Sequence, residues 1–178
     1  MSQQQSAHSE LHISDPLEFA RREQRLEREV PVSMLPRYAA ELVGAEQVPV
    51  RFEVRGEWVE NVLGNGGQAF LVLDIHAEPT LRCQRCLSGL SLPLDIASRL
   101  LLVPPGREMP DEDLEEDDFD PIAAEPDLNV LALVEDELLL ALPLAPRHEN
   151  CDTPHPRVED DSASPFAALA KLRGAGNK

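Results

Sequence analysis

The spacing of apolar residues between positions 48 and 103 limits the fold more than any other feature of the chain. Apolar and polar residues alternate over 48–54, which is the period of a strand with one buried face. A glycine-rich turn at 64–67 separates this strand from a second one, predicted over 69–77. Alternation returns over 90–96, and an apolar run extends this third strand to 103. Three consecutive strands with short connections predict an antiparallel meander.

A long amphipathic helix is predicted after the strands. Its apolar side chains recur at helical spacing up to Pro143, which ends the helix; they are Leu128, Leu131, Val134, Leu138 and Leu142. We expect this helix to pack on the sheet. The pattern is that of an α+β protein, a small antiparallel meander packed by a long helix in the C-terminal half.

Two shorter helices are predicted before the strands. Asp15 is a good N-cap and Pro16 suits the first helical position, so an N-terminal helix is expected from there to about Glu29. A second helix is expected over 37–42, after the break that two prolines cause.

The length of 178 residues leaves room for one core rather than two. We predict a single α+β domain over 15–146, a flexible N-terminus over 1–14, and a tail over 147–178 that ends in a short helix. A mobile loop is predicted over about 104–127, because 111–120 is nearly all carboxylate and repels itself.

The chain has a formal net charge of -17. This charge disfavours extensive direct binding to RNA, because sequence-independent affinity for a phosphate backbone comes mainly from Lys and Arg. It suits a basic protein partner, although an excess of carboxylates also serves solubility alone.

The sequence predicts a cytoplasmic location and no membrane partner. The N-terminal residues lack the basic start and the apolar stretch of a secretory signal, and no segment reaches the roughly 20 apolar residues of a membrane helix. The 3 cysteines, an odd number, fit a reducing compartment better than a disulfide framework.

Four residues form two pairs that could bind a metal. Cys83 and Cys86 form a C-x-x-C on a turn between strands, and His148 and Cys151 follow the long helix. Tetrahedral zinc requires four such ligands. The pairs lie outside the usual finger spacing, so only the tertiary fold could join them. Zinc is the one cofactor suggested, and two free thiols at a tight turn are the alternative.

The sequence contains no constellation that predicts an enzyme. A thioredoxin-like role for Cys83 and Cys86 would need the motif at the start of a helix, where the dipole lowers a thiol pKa, but it lies between strands. His148 and Cys151 lack an evident third group or oxyanion donors. Phosphate loops, dinucleotide fingerprints and nucleophile elbows do not occur, and no small-molecule substrate is predicted.

Two groups of residues are candidates for binding a partner. Arg82, Arg85 and Arg99 could form a basic patch near the C-x-x-C, or they are ordinary solvated strand residues. The second group lies on a short apolar stripe near the C-terminus, with basic residues at its end: Phe166, Leu169, Lys171 and Leu172. So short a helix is marginal in water, so we expect this segment to order on a partner or to fold back on the domain.

Three segments, in this order, resemble the YceD family of bacterial proteins, described as large ribosomal RNA subunit accumulation proteins. They are 81–87 around the C-x-x-C, 133–143 leading to His148 and Cys151, and 164–172 near the C-terminus. The helix that opens at Asp15 also fits, so the resemblance covers nearly the whole chain.

The resemblance implies a cytoplasmic role in the synthesis, processing or stability of large-subunit ribosomal RNA, without known catalysis. We therefore expect a non-enzymatic accessory protein of ribosome biogenesis, whose acidic surface binds a basic ribosomal protein or an rRNA-processing factor. The alternatives are a zinc-dependent RNA-binding module and a thiol oxidoreductase, against which the strand context of the C-x-x-C argues. The sequence leaves open the direct partner, direct contact with RNA and the oligomeric state.

Overall fold

The computed structural model describes residues 11–44, 48–60, 66–108 and 119–153. The strands in chain order are β1 (His12–Ile13), β2 (Arg25–Val30), β3 (Val50–Glu60), β4 (Gly67–Ala77), β5 (Thr80–Arg82), β6 (Gly89–Ser91), β7 (Leu94–Val103), β8 (Asp120–Ala123) and β9 (Leu128–Asn129). The helices are α1 (Pro16–Arg21), α2 (Pro36–Glu41) and α3 (Val130–Ala141), and a 3-10 turn spans Val32–Met34. None of the helices among these residues is both long and apolar enough to cross a membrane.

A five-stranded sheet with the order β2-β3-β4-β7-β8 forms the centre of the fold. Its first four strands pair antiparallel, and β8 pairs parallel with β7. Two small antiparallel ribbons complete the structure, β5 with β6 and β1 with β9. The predicted α+β class is confirmed, with a long helix in the C-terminal half.

One face of the sheet is buried and carries the core. Side chains of the central strands pack there with those of α3, and the largest fully buried apolar residues of this cluster in these elements are Val50, Phe52, Val54, Leu71, Leu73, Ile75, Val130, Val134 and Leu138. Burying each such side chain stabilises the fold by about 1.5 to 3 kcal/mol, which explains why the alternating segments form strands.

Strands β2, β3 and β7 carry arginines that pair with carboxylates on other strands of the sheet. Arg25 lies 2.6 Å from Glu53. Arg55 of β3 lies 2.9 Å from Asp74 of β4, and Arg99 of β7 reaches across β4 to lie 2.9 Å from Glu57 of β3. Exposed pairs of this kind contribute at most about 1 kcal/mol each, so they mainly neutralise one another's charge.

The prediction that the N-terminal helix reaches Glu29 is wrong. The helix ends at Arg21, Glu23 takes a left-handed conformation with φ 48°, and the chain then forms β2. All six residues of β2 pair with β3, and this tertiary pairing outweighs the helical propensity of the Arg- and Glu-rich sequence. Gly56 of β3 allows α1 to pack closely, because a Cβ there would lie 2.5 Å from the carbonyl oxygen of Phe19.

The structure departs from three further expectations at described residues. The predicted third strand is divided into β6 and β7, because Pro93 between them cannot donate to a ladder. Within the loop predicted over about 104–127, residues 120–123 form β8, and 109–118 lie outside the described residues. Residues 11–14, assigned to the flexible N-terminus, include β1, which pairs with β9.

Glu135 of α3 joins the two helices α2 and α3. Its side chain is buried, and its carboxylate accepts hydrogen bonds from the Arg37 backbone N–H at 2.6 Å, the Tyr38 backbone N–H at 3.2 Å and the Arg37 Nε at 2.8 Å. It therefore caps the N-terminus of α2 from another helix, where backbone N–H groups lack partners. Burial acts to raise the pKa of Glu135, but the hydrogen bonds from Arg37 and Tyr38 outweigh it and lower this pKa.

Glu135→Gln is expected to lower the free energy of unfolding by about 2 kcal/mol near neutral pH, because an uncharged amide replaces the charged acceptor of three donors. Asp136→Asn is the matched control, since it removes only the exposed end of the Arg37 bridge, and should cost under about 1 kcal/mol. Urea denaturation measures both.

The stabilisation by Glu135 should also depend on pH. Because folding lowers the pKa of Glu135, the stabilisation is fully present above the pKa of this carboxyl in the unfolded chain, and it is lost as the pH falls through the folded-state pKa. The difference between wild type and Glu135→Gln should therefore shrink in acid. A difference that stays constant with pH would contradict stabilisation by the ionised form of Glu135.

Candidate metal centre

The first cysteine pair lies on the turn that joins β5 to β6. The backbone N–H of Cys83 donates to the Ser88 carbonyl at 2.9 Å, and the N–H of Leu87 donates to the Cys83 carbonyl at 2.9 Å. Leu87 has φ 64°, a left-handed conformation that costs a leucine roughly 1 to 3 kcal/mol and that the surrounding turn must hold in place. The result is a tight knuckle that presents both thiols.

The second pair follows the end of α3. Beyond Pro143 the chain passes over the knuckle, where the Pro146 carbonyl accepts a hydrogen bond from the Gln84 N–H at 2.8 Å. The side chain of Arg85 reaches across in the other direction, from its Nη1 to the Cys151 carbonyl at 3.4 Å. These contacts bring His148 and Cys151 to the knuckle.

The four predicted ligands converge. The ligand atoms of Cys83, Cys86, His148 and Cys151, which we call the CCHC cluster, all lie within 4.8 Å of one another. The Sγ atoms of Cys83 and Cys151 are 3.7 Å apart, and Cys86 Sγ is 3.4 Å from His148 Nδ1. Tetrahedral zinc, with bonds of about 2.3 Å to sulfur and 2.0 to 2.1 Å to nitrogen, places ligand atoms roughly 3.5 to 3.8 Å apart. These two distances are close to those of a tetrahedral site.

His148 is held in the tautomer that a metal ligand needs. Its Nε2 lies 3.1 Å from the Gly89 carbonyl, which can only accept, so Nε2 carries the proton. In neutral imidazole the lone pair is then on Nδ1, the atom that faces Cys86. A backbone carbonyl that fixes a ligand histidine in this way is typical of metal sites.

The cluster also shifts the pKa values of its thiols. Burial acts to raise the pKa of Cys83, but hydrogen bonds from the backbone of Cys86, His148 and Arg85 and from the Cys86 side chain lower it to about 5. The Ser88 hydroxyl and backbone lower the pKa of Cys86. Burial, with the neighbouring sulfurs, raises the pKa of Cys151. A metal ligand must be a thiolate, and the knuckle favours that form.

The donor set fits a soft or borderline divalent metal. Three thiolates and one imidazole are ligands that select zinc over magnesium or calcium, which prefer oxygen. Four protein ligands complete a tetrahedron without an open position for substrate, which is the arrangement of structural rather than catalytic zinc sites. The CCHC cluster could thus hold a metal ion that ties the end of α3 to the β5–β6 ribbon.

The predicted partner-binding residues lie in different places. Arg82 is exposed on β5 and Arg85 is half-buried in the knuckle. Arg99 lies on β7, where its guanidinium binds Glu57 and stacks 3.9 Å from the centroid of the Phe70 ring. The structure therefore brings Arg82 and Arg85, but not Arg99, to the knuckle, and their binding of a partner stays a prediction. The C-terminal group lies outside the described residues: Phe166, Leu169, Lys171 and Leu172.

Several residues that build the site escaped sequence reasoning. Gln84 acts through its backbone N–H, which donates to the Pro146 carbonyl, and Ser88 acts through its hydroxyl, which contacts Cys86 Sγ at 2.9 Å. The spacing of residues in the sequence reveals neither contact. Arg37 and Glu135, whose contact fixes the start of α2 against α3, lie far apart in the chain. The only sequence signal for this contact is the acidic run 135–137 within an otherwise apolar helix.

The fold and the cluster define a small α+β protein with a candidate zinc-type centre at one end of its sheet. A profile of the family described as large ribosomal RNA subunit accumulation protein YceD matches residues 71–173, more than half of the chain and all four members of the cluster. The chain belongs to the YceD family. The comparisons with curated proteins and with solved structures found no match.

In metal-free, reduced protein we expect iodoacetamide to modify Cys86 and Cys151 before Cys83. Cys83 is buried, whereas the other two thiols are half-exposed, and access outweighs the lower pKa of Cys83. Peptide mapping over time measures the order, with urea-unfolded protein, in which burial no longer protects Cys83, as the control. Fastest modification of Cys83 would contradict its burial.

Proposed function

We propose that this chain is a non-enzymatic accessory protein that supports the synthesis, processing or stability of large-subunit ribosomal RNA, with a structural zinc ion in the CCHC cluster. The family match carries the functional half of the proposal. The convergence of four ligand atoms within that same matched segment supports the zinc half.

The proposed zinc would act as a cross-link. It would join the β5–β6 knuckle to the segment that follows α3, two parts of the chain held mainly by a few backbone hydrogen bonds, such as the one between Gln84 and Pro146. Metal binding to such a site contributes directly to folding free energy. The metal would therefore fix the shape of this end of the molecule for a partner.

A basic protein partner fits the charge of the chain. With a net charge of -17, the molecule attracts a basic ribosomal protein or rRNA-processing factor and repels an extended RNA backbone. We place this interaction in the cytoplasm, as part of ribosome biogenesis.

One observation favours a second candidate, a zinc-dependent RNA-binding module. Arg82 is exposed beside the CCHC cluster, and among the residues that the structure describes no carboxylate lies within salt-bridge distance of it. A pull-down from growing cells with and without ribonuclease separates the two candidates. Association that survives ribonuclease supports the protein partner, and association that ribonuclease abolishes supports RNA.

Protein purified without chelators, with its thiols reduced, should contain about one equivalent of zinc. Cys83→Ser and Cys86→Ser should each abolish binding and lower the melting temperature, because ligand binding is coupled to folding. Gln84→Ala is the matched control in the same turn, since it keeps the backbone N–H that binds Pro146. Less than about a tenth of an equivalent in the wild type would favour free thiols.

Deletion of the gene should lower the ratio of large-subunit to small-subunit ribosomal RNA. The wild-type chain and Gln84→Ala should restore the ratio, and Cys83→Ser should not, because the proposed zinc fixes the partner-binding end. An unchanged ratio in the deletion strain, across growth conditions, would refute the role in rRNA. Restoration by Cys83→Ser would refute only the need for the metal.

A further inference from the structure

A cavity of about 440 Å³ opens at the end of the sheet opposite the CCHC cluster. β4 begins at this cavity with Gly67 and ends at Ala77, where the chain enters the β5–β6 ribbon. The walls come from α1, from the ends of β3 and β7, and from the residues that follow β7. The cavity is thus separate from the candidate metal centre.

Trp58 forms a fixed aromatic wall of the cavity. A Cβ on Gly67 would lie 2.5 Å from Cε2 of the indole, so the ring packs directly on the backbone of β4. The guanidinium of Arg21 lies 5.1 Å from the centroid of the Trp58 ring, a cation–π contact. Leu17 and Leu102 add apolar surface.

Two arginines at this cavity have no ion-pair partner among the residues that the structure describes. Arg25, Arg55 and Arg99 on the sheet each pair with a carboxylate. Arg21 and Arg107 both line the cavity. Although the chain contains more acidic than basic residues, neither arginine has a carboxylate within salt-bridge distance in the described part of the protein. Two guanidiniums that form no ion pair among the described residues, one of them over an indole ring, are suited to a phosphate ester of a planar ring.

We propose that this cavity binds a nucleotide, either free or at the end of an RNA strand, with its phosphate at Arg21 and Arg107 and its base against the apolar wall. The volume lies within the range of about 300 to 1,000 Å³ of small-ligand sites. Glu108 and Gln68 also line the cavity and can accept from a base amino group or a ribose hydroxyl. The ionised side chains of an acidic peptide offer no such donors.

The net charge of -17 is compatible with this ligand. A single nucleotide or a strand end brings only a few negative charges, whereas a long strand would meet the repulsion of the whole molecule. The proposal does not rest on the role in ribosomal RNA, and it places a ligand site at the end of the fold that the CCHC cluster leaves free.

The sole tryptophan of the chain makes the test specific, because Trp58 lines the cavity. Its fluorescence is titrated with uridine 5′-monophosphate, a short 5′-phosphorylated oligouridylate, inorganic phosphate, and an acidic peptide. Isothermal titration calorimetry repeats each titration, so a ligand that leaves the fluorescence unchanged is still detected. The variants are Arg21→Gln and Arg107→Gln. Arg22→Gln is the matched control, since Arg22 neighbours Arg21 in sequence but pairs with Glu18 at 2.7 Å.

Saturable binding of the mononucleotide or the oligouridylate is expected, with Kd raised at least about tenfold by Arg21→Gln and by Arg107→Gln and unchanged by Arg22→Gln. Binding of both ligands points to a nucleotide as such, and binding of the oligouridylate alone points to a strand end. Absence of saturable binding by either, equal affinity for the acidic peptide, or binding that neither cavity variant weakens would overturn the proposal.

Discussion

The buried carboxylate of Glu135 is the constraint on which the rest of the structure depends. Among the described residues it stands in an otherwise apolar core, and a buried charge is costly unless its hydrogen bonds are satisfied. Arg37 and Tyr38 satisfy it, so the N-terminus of α2 has one allowed position against α3. From α2 the chain continues to Val43, whose N–H donates to the Thr80 carbonyl at 2.8 Å. The contact of Glu135 with Arg37 and Tyr38, which we call the clamp, thereby positions the start of β5, the strand that leads into the knuckle.

The same clamp positions the other half of the candidate metal centre. α3 carries Glu135 in its middle and leads, past Pro143, to the contact between Pro146 and Gln84. One arm of the CCHC cluster follows β5, which contacts the segment after α2, and the other arm follows α3; one carboxylate sets the relative position of these two helices. Desolvation of the buried Glu135 carboxylate offsets part of its attraction to the half-exposed Arg37, so this contact contributes to geometry as well as to net stability. A metal that closes the long loop between the two cysteine-containing segments would add stability, whereas the clamp fixes the relative position of the helices.

The elements that the sequence predicts well are those whose signal is local. Helix α3 and the central strands carry a clear period because each buries one face against the same core. The length of the N-terminal helix was overestimated because β2 forms by pairing with β3, and the residues of β2 alone do not reveal this partner. Each pair of the CCHC cluster was visible by its short spacing, but their union required the fold. The contact of Arg37 with Glu135 and the cavity at Trp58 depend wholly on tertiary structure.

The net charge and the local charges of this protein act over different distances. Within the described residues, the arginines of the sheet form ion pairs with carboxylates of other strands, so these pairs contribute little to the net charge of -17. At physiological ionic strength, exposed charges more than about 8 Å apart are largely screened from each other. The two guanidiniums of Arg21 and Arg107, against the one carboxylate of Glu108 that lines the cavity, can therefore leave a locally positive site on an acidic molecule. The overall charge governs which macromolecules approach, whereas these two guanidiniums and the indole beside them decide what the cavity can hold.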